Sequence, residues 1–143
     1  MAELQNINFE EVEKIKAIAG SENDHSLLMI NLNQYSEDAG YPDGTLYKDY
    51  MVALDILLEQ VGGKILWRTT VLGQVIGEQV IEEALGIWYP THQAFLNLMT
   101  APGSAENMRL RNLAVQKADL HRSLDTFITG SDWMGYYYGL LGR

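Results

Sequence analysis

Cysteine is absent from this chain, which removes thiol nucleophiles, redox pairs and thiolate metal sites and leaves nothing to gain from an oxidising compartment. Basic residues are scarce: 10 Lys and Arg face 19 Asp and Glu, for a net charge of −9 and a pI near 4.6. That field repels phosphate backbones and anionic membrane surfaces, so nucleic acid is not an expected partner. No apolar run approaches the roughly 20 residues that a bilayer crossing needs, and no membrane association is expected. The segment Met1 to Asn8 lacks the basic start and apolar centre of an export signal, so a cytoplasmic location is the expectation. Phosphate-binding glycine loops, nucleophile elbows and closely spaced zinc-ligand histidines are also missing, and neither a cofactor nor a metal is expected.

What is present suits one globular unit. The 143 residues are 47% apolar and 20% charged, enough for one domain to bury roughly two-thirds of its unfolded surface. Asn8, acidic Glu10 and Glu11, and Phe9, Val12, Ile15 and Ala19 at helical spacing predict a short leading helix ended by Gly20. Leu27 to Leu32 alternates as a strand, with Leu28, Ile30 and Leu32 on one side and Leu27, Met29, Asn31 and Asn33 on the other. A turn at Tyr41-Pro42-Asp43-Gly44 leads to Thr45 as cap of a helix bearing Leu46, Tyr50, Leu54, Leu57, Leu58 and Val61, which Gly62-Gly63 stops.

Lys64 to Ile76 and Gln79 to Tyr89 read as a hairpin. Pro90-Thr91 opens a helix with Phe95, Leu98 and Met99, Ala101-Pro102-Gly103 breaks it, and Ser104 caps another running to about Lys117. The run Leu120 to Thr129, with Leu124, Thr126 and Ile128 alternating with Asp125, Phe127 and Thr129, supplies the last strand. The order predicts an α+β, ferredoxin-like βαββαβ antiparallel sheet with helices on one face. Residues 1–25 form a helical extension, 26–130 the ferredoxin-like domain and 131–143 a tyrosine-rich tail.

One layer of helices covers only one side of such a sheet. Leu27 and Met29 behind Leu28 and Ile30, Trp67 and Val71 behind Leu66 and Leu72, and Trp88 behind Leu85 and Ile87 would leave an apolar rear face. A homodimer with stacked sheets closes it; the alternative is a monomer whose leading helix or Trp133 to Leu141 tail folds across.

Met29-Ile30-Asn31-Leu32, Tyr41-Pro42-Asp43-Gly44, Gly62-Gly63-Lys64-Ile65-Leu66-Trp67-Arg68 and Trp88-Tyr89-Pro90-Thr91 followed by Phe95 resemble the bacterial domain-of-unknown-function family numbered thirteen-thirty, over about Leu27 to Thr129. The resemblance implies a dimeric α+β barrel and carries no catalytic residues across. Ala105 to Asp119 matches the family's final helix only loosely.

The residues themselves suggest a ligand site. Asn31 in an apolar strand must find partners or face a pocket. Arg68 snorkels to solvent, pairs with an acid such as Glu83, or offers its fork to a carboxylate. Tyr47 and Tyr50 with Trp67, Trp88 and Tyr89 can line an amphipathic cavity, although aromatics at such places are commonly plain core. His92, in a helix first turn, reads as a solvated surface residue, and Arg109 with Arg111 as an exposed charged face. His121, near Asp119 and Arg122, is the candidate for acid–base work, against the reading of a solvated loop histidine. The expectation is a homodimer holding a small organic ligand, carboxylates included, at Asn31, Tyr50, Trp67, Arg68 and Tyr89. The alternatives are a small cofactor-independent enzyme, oxygenase- or isomerase-like, and a structural or interaction protein.

Overall fold

The computed structural model describes residues 4 and 6–126 of the chain. The C-terminal part of the expected last strand, from Phe127, and the tail at 131–143 lie outside the described residues. Helix α1 (Phe9–Ala19) starts where the Asn8 side chain accepts from the Glu11 N–H at 3.2 Å, and it lies against a later short helix. Of its expected apolar stripe, Ile15 is buried but Phe9 is not: its ring stands 72% exposed.

Strand β1 (Leu27–Tyr35) leads through a 3-10 turn at Glu37–Ala39 to helix α2 (Thr45–Val61). Gly44 rather than Thr45 holds the cap position of α2. At its other end Gly62 takes φ 82°, a left-handed conformation that glycine adopts without a Cβ penalty, and its N–H closes on Leu58 and Glu59. Strands β2 (Lys64–Thr70) and β3 (Glu83–Tyr89) follow, then helix α3 (His92–Leu96) with a 3-10 turn at Asn97–Met99, helix α4 (Ser104–Ala114) and strand β4 (Val115–Ser123). Among the described residues no helix is long and apolar enough to cross a membrane.

The sheet is antiparallel in the order β2-β3-β1-β4, and its element order is the ferredoxin-like βαββαβ that the sequence predicts. The last strand is the largest departure. It begins at Val115, within the stretch expected to finish the preceding helix, and it has ended before Leu124. Gln116, Lys117, Asp119 and His121 are poor strand formers, so local propensity hides this strand. Pairing with the open edge of β1, from Leu28↔Ser123 to Tyr35↔Val115, overrides it. The expected hairpin is also shorter. Its ladder stops at Thr70↔Glu83 and leaves 71–82 as a loop in which Leu72, Val75 and Ile76 are 97%, 99% and 91% exposed.

The two faces of β1 are exchanged relative to expectation. Leu27, Met29 and Tyr35 point into the core formed with Tyr47, Tyr50, Leu54, Leu58, Leu85, Ile87, Leu110 and Ala114, while Leu28, Ile30 and Leu32 take the rear. The reason is the pairing with β3: Leu85 and Ile87 stand on the helix side, and their partners Asn31 and Met29 share that side. A bulge at Leu66 does the same for β2. Ile65 pairs with Ile87 and Arg68 with Leu85, so both face the helices although their spacing in a regular strand would set them on opposite faces. Trp67 goes to the rear, over Gly86.

Candidate functional site

The bulge delivers Arg68 to a buried carboxylate. Glu83, with a side chain 4% exposed, accepts from Arg68 Nε at 3.0 Å and Nη2 at 2.9 Å, from the Tyr47 hydroxyl at 2.9 and 3.0 Å, and from the Tyr35 hydroxyl at 2.6 Å. Arg68 Nη2 also donates to the Tyr47 hydroxyl. Tyr41 stacks on Tyr35 at 5.0 Å and meets Tyr47 edge-on at 4.8 Å. Burial first, and then the Glu83 charge, push the Tyr35 and Tyr47 hydroxyls above the ordinary tyrosine range. Burial alone would lower Arg68, but its bonds to Glu83 outweigh that and hold it above its ordinary value. This carboxylate is met by donors at both oxygens, which suits it to holding β1, β2, β3 and α2 together. Arg68 is therefore engaged by Glu83, and the ligand fork expected of it is largely used.

A second polar region in the same helix-facing layer is unsaturated. Asn31 Oδ1, Asn33 Oδ1 and Asn107 Nδ2 are buried with no hydrogen-bond partner among the described residues. Asn33 is 3% and Asn107 7% exposed. Asn31 and Asn33 share the helix side of β1 with Met29 and Tyr35. Asn107 lies on the stripe Asn107, Leu110, Arg111 and Ala114 that turns α4 inward. Tyr50, from α2, is buried beside them. Burial raises its pKa above the ordinary range, and the Arg111 guanidinium next to it offsets part of that rise. Tyr89 is raised by burial and by Tyr50 in turn, and its ring packs edge-to-face on Phe95 at 5.4 Å.

Of the residues singled out in the sequence, Asn31, Tyr50, Arg68 and Tyr89 thus stand on the helix side of the sheet. Trp67 does not; the bulge places it on the rear. His121 also stands apart, exposed on edge strand β4 opposite Ile30, inside the last strand and not in a loop before it. Asn33, Asn107, Arg111 and Tyr35 were missed as site residues, and Glu83 was read only as a pairing acid for Arg68. The i, i+2 spacing of Asn31 and Asn33 and the helical spacing of Asn107 to Arg111 are the signals that point to them. Arg111, expected on an exposed face, is part-buried, whereas Arg109 does pair with Glu106 at 2.6 Å in solvent.

His92 needs correcting as well, because it is fully buried. Its Nδ1 lies 3.1 Å from Asp24 Oδ1 and 3.0 Å from the His25 carbonyl, and its Nε2 lies 3.4 Å from Arg122 Nη1, which suits the tautomer with the proton on Nδ1. Asp24 also accepts from the N–H groups of His92 at 2.7 Å and Gln93 at 3.1 Å, closing the start of α3. Arg122 continues to Glu11 at 2.5 Å and so ties β4 to α1. The cluster joins elements and encloses its own imidazole.

No family model and no curated protein matches the chain, so the resemblance to family thirteen-thirty gains no support there. Solved structures do match. A protein of unknown function from Rhodopseudomonas palustris is 25% identical with TM-score 0.67, covering 87% of this chain and 97% of that one. Its methylated form gives 24% and 0.69, over 91% and 100%. A DABB family protein with a ferredoxin-like fold from Mesorhizobium loti is 10% identical with TM-score 0.53, over 72% and 99%. A hydroxynitrile lyase from Passiflora edulis is 15% identical with the same score, over 73% and 98%. Since one fold hosts many chemistries, the last two bear on architecture alone. Together with the strand order, these likenesses establish the chain as an α+β protein of ferredoxin-like fold.

Proposed function

We propose that this protein is a homodimer that holds a small organic molecule between its sheet and its helices. The observation that carries the binding reading is the set of buried amide atoms at Asn31, Asn33 and Asn107 that no group among the described residues satisfies. Burying a polar atom unpaired costs on the order of 1–3 kcal/mol, so three in one layer are a load on stability that a ligand offsets. The dimer reading is supported by the apolar rear, where Leu66 and Trp67 are 40% and 36% exposed, and by the uncovered Leu72, Val75 and Ile76 of the 71–82 loop.

An enzyme of oxygenase or isomerase type has less behind it. Among the described residues no free proton carrier stands at the amides: Tyr50 is held from ionising, Glu83 is bonded to Tyr35, Tyr47 and Arg68, and His121 lies on the other face.

Thermal-shift screening of small metabolites tests the binding reading. A hit should raise the melting temperature of the native chain, while Asn107→Leu should be more stable alone and blind to that hit. A screen with no hit, together with a destabilised Asn107→Leu, would sink the binding reading. Light scattering after size exclusion should give twice the 16.1 kDa chain mass; a monomer at micromolar concentration refutes the dimer.

A further inference from the structure

Resting on that binding reading, we propose that the ligand is a small organic acid that also carries a hydroxyl or ammonium group, and that Asn33 selects that donor. The hydrogen-bond directions around Glu83 follow from Arg68, which can only donate, and from the carboxylate, which accepts. Tyr47 accepts from Arg68, so its own proton goes to Glu83. The Tyr35 proton goes to Glu83 Oε1 at 2.6 Å, which leaves the Tyr35 oxygen only an accepting role toward Asn33 Nδ2 at 3.2 Å. The Asn33 amide is thereby fixed with its NH2 toward Tyr35 and its carbonyl turned away, buried and without a donor. Asn31, on the same face, adds a second buried carbonyl oxygen in want of a donor.

The opposite wall has the reverse polarity. Strand β1 and helix α4 run to a common junction, where the Ser36 N–H donates to the Ala114 carbonyl at 2.7 Å. From Ser36 back to Asn33 is roughly 10 Å of strand, and from Ala114 back to Asn107 is likewise roughly 10 Å of helix. Asn107 and Asn33 therefore lie about equally far along their elements from that junction, and Asn107 Nδ2 is a buried donor with no acceptor among the described residues. Arg111, one turn on, brings a guanidinium beside Tyr50. Strand β1 thus offers acceptors, and α4 a donor and a cation. A carboxylate satisfies Asn107 and Arg111, and hydroxyl or ammonium protons satisfy Asn33 and Asn31; a plain acid leaves the strand carbonyls unpaired, and a plain amine or alcohol leaves the cation unpaired.

Four probes of matched size test this on the full chain by thermal shift and calorimetry: lactate, alanine, propionate and 1-amino-2-propanol. Lactate or alanine should bind about tenfold tighter than both propionate and the amino alcohol, and which of the two does so tells hydroxyl from ammonium. Asn33→Leu should bring the preferred acid and propionate to parity. Tyr35→Phe, which frees the amide without touching ligand, should narrow the same ratio, a readout that a general loss of stability would not move; Arg111→Gln should weaken all the acids together. Propionate binding as tightly as lactate and alanine, or no probe binding at all, overturns the ligand class. The binding reading falls separately, only if the wider metabolite screen is also blank.

Discussion

The Tyr35 hydroxyl donates to Glu83 Oε1 at 2.6 Å across the paired strands β1 and β3, at the point where Arg68 reaches the same carboxylate from β2. Three strands and, through Tyr47, helix α2 therefore meet at one buried charge.

Removing that charge leaves its donors stranded. Glu83→Ala is expected to cost about 3 kcal/mol in urea unfolding, because the partners Tyr35, Tyr47 and Arg68 lose their common acceptor. Arg68→Ala should cost only about 1 kcal/mol, since its side chain is 38% exposed and water replaces part of the pair. Equal costs would show that the charge is not shared in this way.

Acid should loosen the His92 cluster. Burial would raise the Asp24 carboxyl, but the N–H groups of His92 and Gln93 and the His92 ring outweigh it and hold it below its ordinary 3.8. A folded-state value below the unfolded one means stability that is complete above pH 3.8 and is lost as pH falls from there through the folded value. Glu11, lowered mainly by its bond to Arg122, acts in the same direction from its ordinary 4.5. Asp24→Asn should be less stable at neutral pH and should show a shallower acid limb in chemical denaturation at stepped pH; an unchanged limb contradicts the assignment.

Trp67 rests on a bare backbone. A Cβ at Gly86 would come 2.3 Å from the Trp67 ring, so Gly86→Ala should displace the indole, shift tryptophan emission to the red and cost about 1–2 kcal/mol. Emission and stability that both stay put would place the ring elsewhere.

If the protein dimerises as proposed, the 71–82 loop distinguishes folding from association. Replacing Leu72, Val75 and Ile76 with serine should change monomer stability by no more than about 0.5 kcal/mol, because these side chains touch little of their own chain. Sedimentation equilibrium should show weakened self-association in the same variant. An unaltered dimer would remove the loop from the interface.

Element order was legible in the residues because helical and strand periodicities and the Gly62, Pro90 and Pro102 breaks are local signals. Strand β4 was not, because its pairing edge lies on β1, far away in the chain. The candidate site was readable only in part. Asn31 stood out as an amide in an apolar strand and Tyr50 as an aromatic that can line a cavity, while Arg68 carried several readings until the bulge at Leu66 turned it to Glu83. His92 looked like any residue in a first helical turn, and only Asp24 and Arg122, brought from elsewhere in the chain, explain its burial.

The amino-acid order alone determined the class: an acidic chain without cysteine, whose alternating runs and glycine and proline breaks impose an α+β succession. Tertiary structure decided the polarity of each face and the identity of each partner, since a single inserted residue in β2 reverses which side chains look inward. That choice depends on cross-strand register, which is an agreement between distant segments and is written in neither of them separately.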